Sequence, residues 1–173
     1  QDPCDRKIIF IVDQTGNSGK TYMTKVLSRQ SHVQRLEPCK AADFLYAFNA
    51  EATTVLIDVA RAAAPTLQYT LLEKLKNGQA LITKYQSRDI SFTPPHVVVF
   101  MNEYPSTVQP NTLSEDRFEV YEIDDDNTMN TIDYIELQEL FRDQQVSRSS
   151  ESNSIRRDGG GAFAPYFNLP ADA

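Results

Sequence analysis

Apolar positions along this chain fall into two kinds of pattern. Short unbroken runs rich in Ile and Val occupy 7–13, 53–58 and 96–102. Runs of this kind, without helical spacing, are what strands buried on both faces look like. Between them, apolar residues recur every three or four positions, which predicts helices. The first runs from 20 to about 31 on Tyr22, Met23, Val26 and Leu27, and the second opens at Pro38 and buries Phe44, Leu45 and Phe48. The third opens at Pro65 on Leu67, Leu71, Leu72 and Leu75 and stops at Gly78. Residues 32–36 and 118–123 predict further strands, and the weak alternation over 79–93, with a polar turn at 85–88, predicts a hairpin. An acidic amphipathic helix is predicted from 126 to about 145. The Ser/Arg- and Gly-rich remainder, 147–173, predicts a disordered tail, and residues 1–6 read as a linker remnant.

Strands alternating with helices predict an α/β domain over 7–146, with a mostly parallel sheet covered on both faces. Ligands of such sheets bind at the carboxyl ends of the strands, here just after Val12, Ile57 and Met101. Composition agrees with a packed domain: 40% of the 173 residues are apolar and 24% charged. No apolar run is long enough to cross a bilayer, so no membrane partner is expected. Two cysteines, Cys4 and Cys39, cannot make a disulfide framework. The net charge of −7 argues at first against nucleic acid, but it is unevenly placed: residues 1–123 carry −1 and residues 124–173 carry −6.

The first strand end leads into Asp13-Gln14-Thr15-Gly16-Asn17-Ser18-Gly19-Lys20-Thr21. Strand, Gly-rich loop ending in Gly-Lys-Thr, then helix is the phosphate-binding (Walker A) loop signature. In such a loop the backbone N–H groups of Gly16, Asn17, Ser18 and Gly19 would cradle phosphates, Lys20 would reach the β- and γ-phosphates, and the Thr21 hydroxyl would ligate Mg²⁺. The usual glycine five positions before Gly19 is Gln14. The second strand end carries Asp58, the carboxylate expected on the magnesium side, 38 residues after Lys20. Val59 stands where many such ATPases carry a second acid as the water-activating base. Glu103, Glu115 and Asp116 are near enough in sequence to supply one, and the sequence prefers none. The third strand end carries Asn102, an amide placed to sense the γ-phosphate.

These three motifs, in order and spacing, resemble the superfamily 3 helicase domain of replication-initiator (Rep) proteins from viruses with small circular single-stranded DNA genomes. The segments that carry the resemblance are Gly-Asn-Ser-Gly-Lys-Thr (16–21), Val-Leu-Ile-Asp-Val-Ala-Arg (55–61), Lys-Tyr-Gln-Ser (84–87), Val-Val-Val-Phe-Met-Asn (97–102) and Leu-Ser-Glu-Asp-Arg-Phe (113–118), all within 6–123. The resemblance implies a P-loop NTPase (AAA+-like) three-layer fold with an inserted β-hairpin. It implies ATP and Mg²⁺ as cofactors, with Lys20, Asp58 and Asn102 at the catalytic centre. It also implies single-stranded DNA gripped at the hairpin near Lys84, with Tyr85 and Arg88 beside it. Arg117 would be an arginine finger reaching a neighbouring subunit of a homo-oligomeric, hexameric ring. Location in the host nucleus and an upstream endonuclease domain in the full-length protein follow from the same likeness. This chain's two histidines, His32 and His96, lie far apart, so the nicking site itself is not expected here.

Other readings stay open at this stage. Tyr85 can stack on a base or pack on the hairpin, Lys84 and Arg88 can be solvated charges, and Arg117 can pair with Glu115 or Asp116. A nucleotide-binding oligomerisation module without efficient hydrolysis is the alternative to a motor.

Overall fold

The computed structural model describes residues 6–16, 18–60, 67–85, 87–108 and 112–158. Its centre is a six-stranded sheet of β1 (Ile8–Val12), β2 (Val33–Leu36), β3 (Thr54–Asp58), β6 (His96–Met101), β7 (Phe118–Ile123) and β8 (Met129–Ile132), in the order β2-β3-β6-β1-β7-β8. The first five run parallel, and only β8 is antiparallel, at the edge beside β7. β4 (Gln79–Ile82) and β5 (Arg88–Ser91) form the separate hairpin. The helices are α1 (Lys20–Leu27), α2 (Ala41–Ala47), α3 (Tyr69–Lys76) and α4 (Tyr134–Asp158).

Alternate side chains of each strand enter two cores of unequal size, as the pleat requires. On one face Phe10, Val12, Ile57, Val99 and Val120 pack with Phe44 of α2, Leu72 and Leu75 of α3 and Leu137 of α4. On the other, Ile11, Leu56 and Phe100 pack against Leu27, Val33 and Val98. The two-sided burial explains why β1, β3 and β6 read as continuous apolar runs.

Three expectations change. α1 ends at Leu27, and its buried side is Lys20 and Thr24, while Tyr22, Met23 and Val26 face solvent. Periodicity shows which residues share a face, but the loop before α1 decides which face turns inward. The predicted acidic helix begins eight residues late. Asp124 accepts hydrogen bonds from the N–H groups of Asp126 and Thr128, and Asn127 takes φ +59°. This Asp/Asn turn sends the chain back as β8, and Asp133 then caps α4 through the Glu136 N–H. Finally, α4 continues to Asp158, so the tail expected from 147 is helical to that point. Ser147 and Ser149 hydrogen-bond back to the carbonyls of Asp143 and Gln145, and Arg148 pairs with Glu103. Residues 159–173, the linker residues 1–5 and Pro65 lie outside the described residues.

Candidate active site

Register in the parallel sheet brings three strand ends together. β6 lies between β1 and β3, with Val12 beside Met101 and Asp58 beside Phe100. The loop after Val12, Asp58 and Asn102 therefore open onto one rim of the sheet. There they line a cleft of about 700 Å³ with Gly16, Gly19, Lys20, Thr21, Arg35, Glu37, Pro38 and Ala60. Gly16 and Gly19 both have φ +83°, which a side chain would strain although nothing crowds either Cβ position. Gly19 is the N-cap of α1, which sends Lys20 and Thr21 into the first turn, where backbone N–H groups lack partners within the helix. Ser18 lies in this loop; Asn17 lies outside the described residues.

Asp13, which sequence reasoning passed over, organises the loop. Its carboxylate is 1% exposed and accepts from Lys20 Nζ at 2.5 Å, the Ser18 hydroxyl at 2.5 Å and the Gly16 N–H at 2.6 Å. Burial alone raises its pKa, but the hydrogen bonds from Lys20, Ser18 and the Gly16 N–H outweigh it and hold the carboxyl well below the usual carboxylate range. Asn102 Nδ2 donates to the Asp13 carbonyl at 2.9 Å, which ties the third strand end to the loop. The sequence signal was an acid closing an apolar strand just before the glycines.

Gln14, in the position where a glycine is usual, has a definite role. Its amide donates to Tyr104 Oη at 2.8 Å and to Glu122 at 2.9 Å, and Tyr104 donates to the same carboxylate at 2.7 Å. Desolvation and the Glu122 hydrogen bond push the Tyr104 phenol far above its ordinary pKa, so it stays a donor. Arg35, on edge strand β2, also enters the cleft. Its Nη2 lies 3.7 Å from Asp58 and 3.1 Å from Glu37, and its buried Nε lacks a partner among the described residues. No spacing in the sequence marked it.

Val59 is 1% exposed and points into the core, so this backbone presents no acid at that position to the cleft. Of the acids proposed as bases, Glu103 follows Asn102 and is paired with Arg148. Glu115 and Asp116 precede β7, whose first residue, Phe118, pairs with Ile8 at the start of β1. They lie on the opposite rim from the loop, where Asp116 pairs with Arg6. Arg117 is on that rim too. It is 8% exposed and held within its own subunit, with Nη2 donating to Asn77 at 3.1 Å and Nε 3.6 Å from Glu73. It does not pair with Glu115 or Asp116, and it is remote from the cleft of its own chain.

The hairpin forms a second cluster. Lys84 Nζ lies 2.6 Å from Asp43 of α2 and over the rings of Tyr46, at 5.3 Å, and Tyr85, at 5.5 Å. Arg88 begins β5 and lines the same hollow.

A polyphosphate and a divalent cation fit the rim cleft. Lys20 and the loop N–H groups suit phosphate oxygens. Thr21 and Asp58 are the hard oxygen donors that Mg²⁺ takes, and the cleft is lined by both sets. No family model matches the chain. Among known proteins it is 32% identical over 125 residues to Para-Rep C7 of Faba bean necrotic yellows C7 alphasatellite, a match covering 69% of this chain and 43% of that protein. It is also 30% identical over 118 residues to the master replication protein of Banana bunchy top virus, covering 68% and 40%.

The chain is a homologue of the Rep replication proteins.

The matched stretch spans less than half the length of these Rep relatives. Among solved structures, the apo C-terminal region of NrS-1 superimposes on this Rep homologue with a TM-score of 0.49 at 13% identity, over 82% of this chain and 35% of that one.

Proposed function

We propose that this Rep homologue is an ATP-dependent helicase motor domain, binding Mg-ATP at the rim cleft and moving single-stranded DNA. The convergence of Lys20, Thr21, Asp58 and Asn102 on one cleft carries the reading. Lys20 and the loop N–H groups bind the phosphates, while Asn102, fixed to the Asp13 carbonyl, holds the third strand end against the loop. Thr21 and Asp58 hold Mg²⁺, which when bound supplies charge neutralisation at the transferring phosphoryl group. The hairpin residues Lys84, Tyr85 and Arg88 are the contact for DNA. The exposed Tyr22, Met23 and Val26 of α1 give a neighbouring copy an apolar surface beside the loop, in keeping with a ring, hexameric by family resemblance.

The deciding experiment is multiple-turnover phosphate release with single-stranded DNA for the wild type and Lys20→Ala. The variant is expected to lose at least 100-fold, because Lys20 is the lysine of the loop that lines the cleft, and its ammonium is the charge this reading assigns to the phosphates. Lys20 is also the partner of Asp13, so circular dichroism melting must show the variant folded at the assay temperature. Equal turnover from a folded variant overturns the assignment. A second reading, a nucleotide-binding assembly module, is favoured by Val59 facing the core and Arg117 facing inward. Nucleotide binding and assembly without wild-type turnover would select it.

A further inference from the structure

The hairpin does not stand alone. The middle of α2 approaches its turn and contributes two side chains that the sequence pattern did not mark, Asp43 and Tyr46. The Tyr46 and Tyr85 rings meet edge to face with centroids 5.3 Å apart. Both are exposed, at 52% and 81%, so neither is explained as core. Tyr85 also has φ +63°, a strained backbone for a residue with a side chain, which aims its ring out of the turn. Together with Ile82, Lys84 and Arg88 they line a hollow of about 410 Å³, more than ten times one water's share of about 30 Å³. Exposed rings beside two cations match what single strands require: a flat face for a base and positive charge for its phosphate. The lysine, however, is already occupied. Asp43 sits 2.6 Å from its ammonium, where a phosphate oxygen would lie. The hydrogen bond from Lys84 lowers the Asp43 pKa, and the same bond raises that of Lys84, so both are charged across the neutral range.

We infer that α2 forms the second jaw of a single-stranded DNA site: Tyr46 pairs with Tyr85 to stack a base, and Asp43 is a built-in competitor that the DNA phosphate must displace from Lys84. This rests on reading the hairpin as the DNA contact and extends it to an element outside the hairpin. It accounts for a positive side chain held by a carboxylate in the middle of an exposed aromatic surface. Arg88, which has no ion-pair partner among the described residues, supplies the first attraction before Lys84 is released.

The test is fluorescence anisotropy of a labelled oligo-dT strand with the whole chain over a range of KCl, for wild type, Tyr46→Leu, Tyr46→Phe, Asp43→Asn, Lys84→Ala and the double variant Asp43→Asn/Lys84→Ala. Tyr46→Leu is expected to weaken binding about 5- to 100-fold with an unchanged salt slope, and Tyr46→Phe to bind as wild type, because stacking needs the ring and not the hydroxyl. Asp43→Asn is expected to tighten binding several-fold, and to do so far less in the Lys84→Ala background. Lys84→Ala is expected to weaken binding and reduce the salt slope by about 0.7. If Lys84→Ala weakens binding while Tyr46→Leu does not, the hairpin binds DNA alone and the second jaw is wrong. An equal gain from Asp43→Asn with and without Lys84 overturns the competitor role, leaving only a general charge effect. Wild type and Lys84→Ala binding alike overturns the hairpin reading itself, and the inference with it. Tyr46 is half exposed, so melting curves should match across the Tyr46 variants.

Discussion

Asp13 and Lys20 form an ion pair 1% and 9% exposed. Each holds the other in a place where an unpaired charge is costly. Asp13→Asn is therefore expected to destabilise the nucleotide-free protein by about 3–5 kcal/mol, because Lys20 would keep its charge without a counter-charge. The sign with pH follows from the depressed pKa of Asp13. Its stabilisation is complete above the usual carboxylate range and is lost as pH falls from there toward its folded value. Urea unfolding at pH 6 and pH 3 should show a steeper loss for the wild type than for Asp13→Asn; equal losses would remove Asp13 from the acid response. At this scale the sequence was readable where a residue's role follows from its place in the chain. Lys20, Thr21, Asp58 and Asn102 each lie at or after a strand end, and the sheet brings strand ends together. Arg35 and Arg117 were not readable in the same way, since Asp58 on the one hand and Glu73 and Asn77 on the other reach them by packing between segments far apart in sequence. The partners of Asp13 are near in sequence, but they meet its carboxylate only because the loop folds back over the strand end.

Gly78 decides how the hairpin leaves α3. It follows the helix with φ +68°, its carbonyl accepts the Phe92 N–H at 2.9 Å, and an added Cβ would lie 2.6 Å from the Phe92 carbonyl oxygen. Both the backbone conformation and the space therefore exclude a side chain. Gly78→Ala is expected to cost about 2 kcal/mol or more, read as a lower urea midpoint. It should also weaken oligo-dT binding, because the strand pair that carries Lys84 must shift; wild-type stability would show that Phe92 gives way freely. The same glycine was legible from sequence as a helix stop, and so were β1, β3 and β6, whose apolar runs reflect burial on both faces. β8 was not legible. It buries only Ile132 of its four residues, so it carries no strand-like alternation. The later part of α4 was missed for a related reason: its sequence from Ser147 is polar and carries no apolar stripe, and residues 147–151 are exposed.

Across the whole molecule the charge is divided much as the chain is. The acidic 124–173 segment contributes β8 and α4, while the cleft and hairpin lie in the nearly neutral 1–123. On the reading proposed above, nucleic-acid binding by such a chain would rely on local cations repeated by assembly, not on a broad basic face. The exposed stripe on α1 gives the proposed assembly a test. Tyr22→Lys together with Val26→Glu should leave the monomer folded, since Tyr22 is 74% exposed and Val26, at 39%, already reaches water, and should shift native mass measurements with ATP toward monomer. Unchanged masses would place the subunit contact elsewhere. The rim cleft lies where the parallel strands end, and Arg117 lies on the rim where they begin. For Arg117 of one copy to serve the cleft of the next, unlike surfaces must meet. A head-to-tail contact does this through one rim of each copy, closing as a ring or running on as a filament; a two-fold pair does it only where its contact spans both rims of each copy. A two-fold dimer joined through one rim alone would set like rims together and leave each cleft out of reach of the other copy's Arg117.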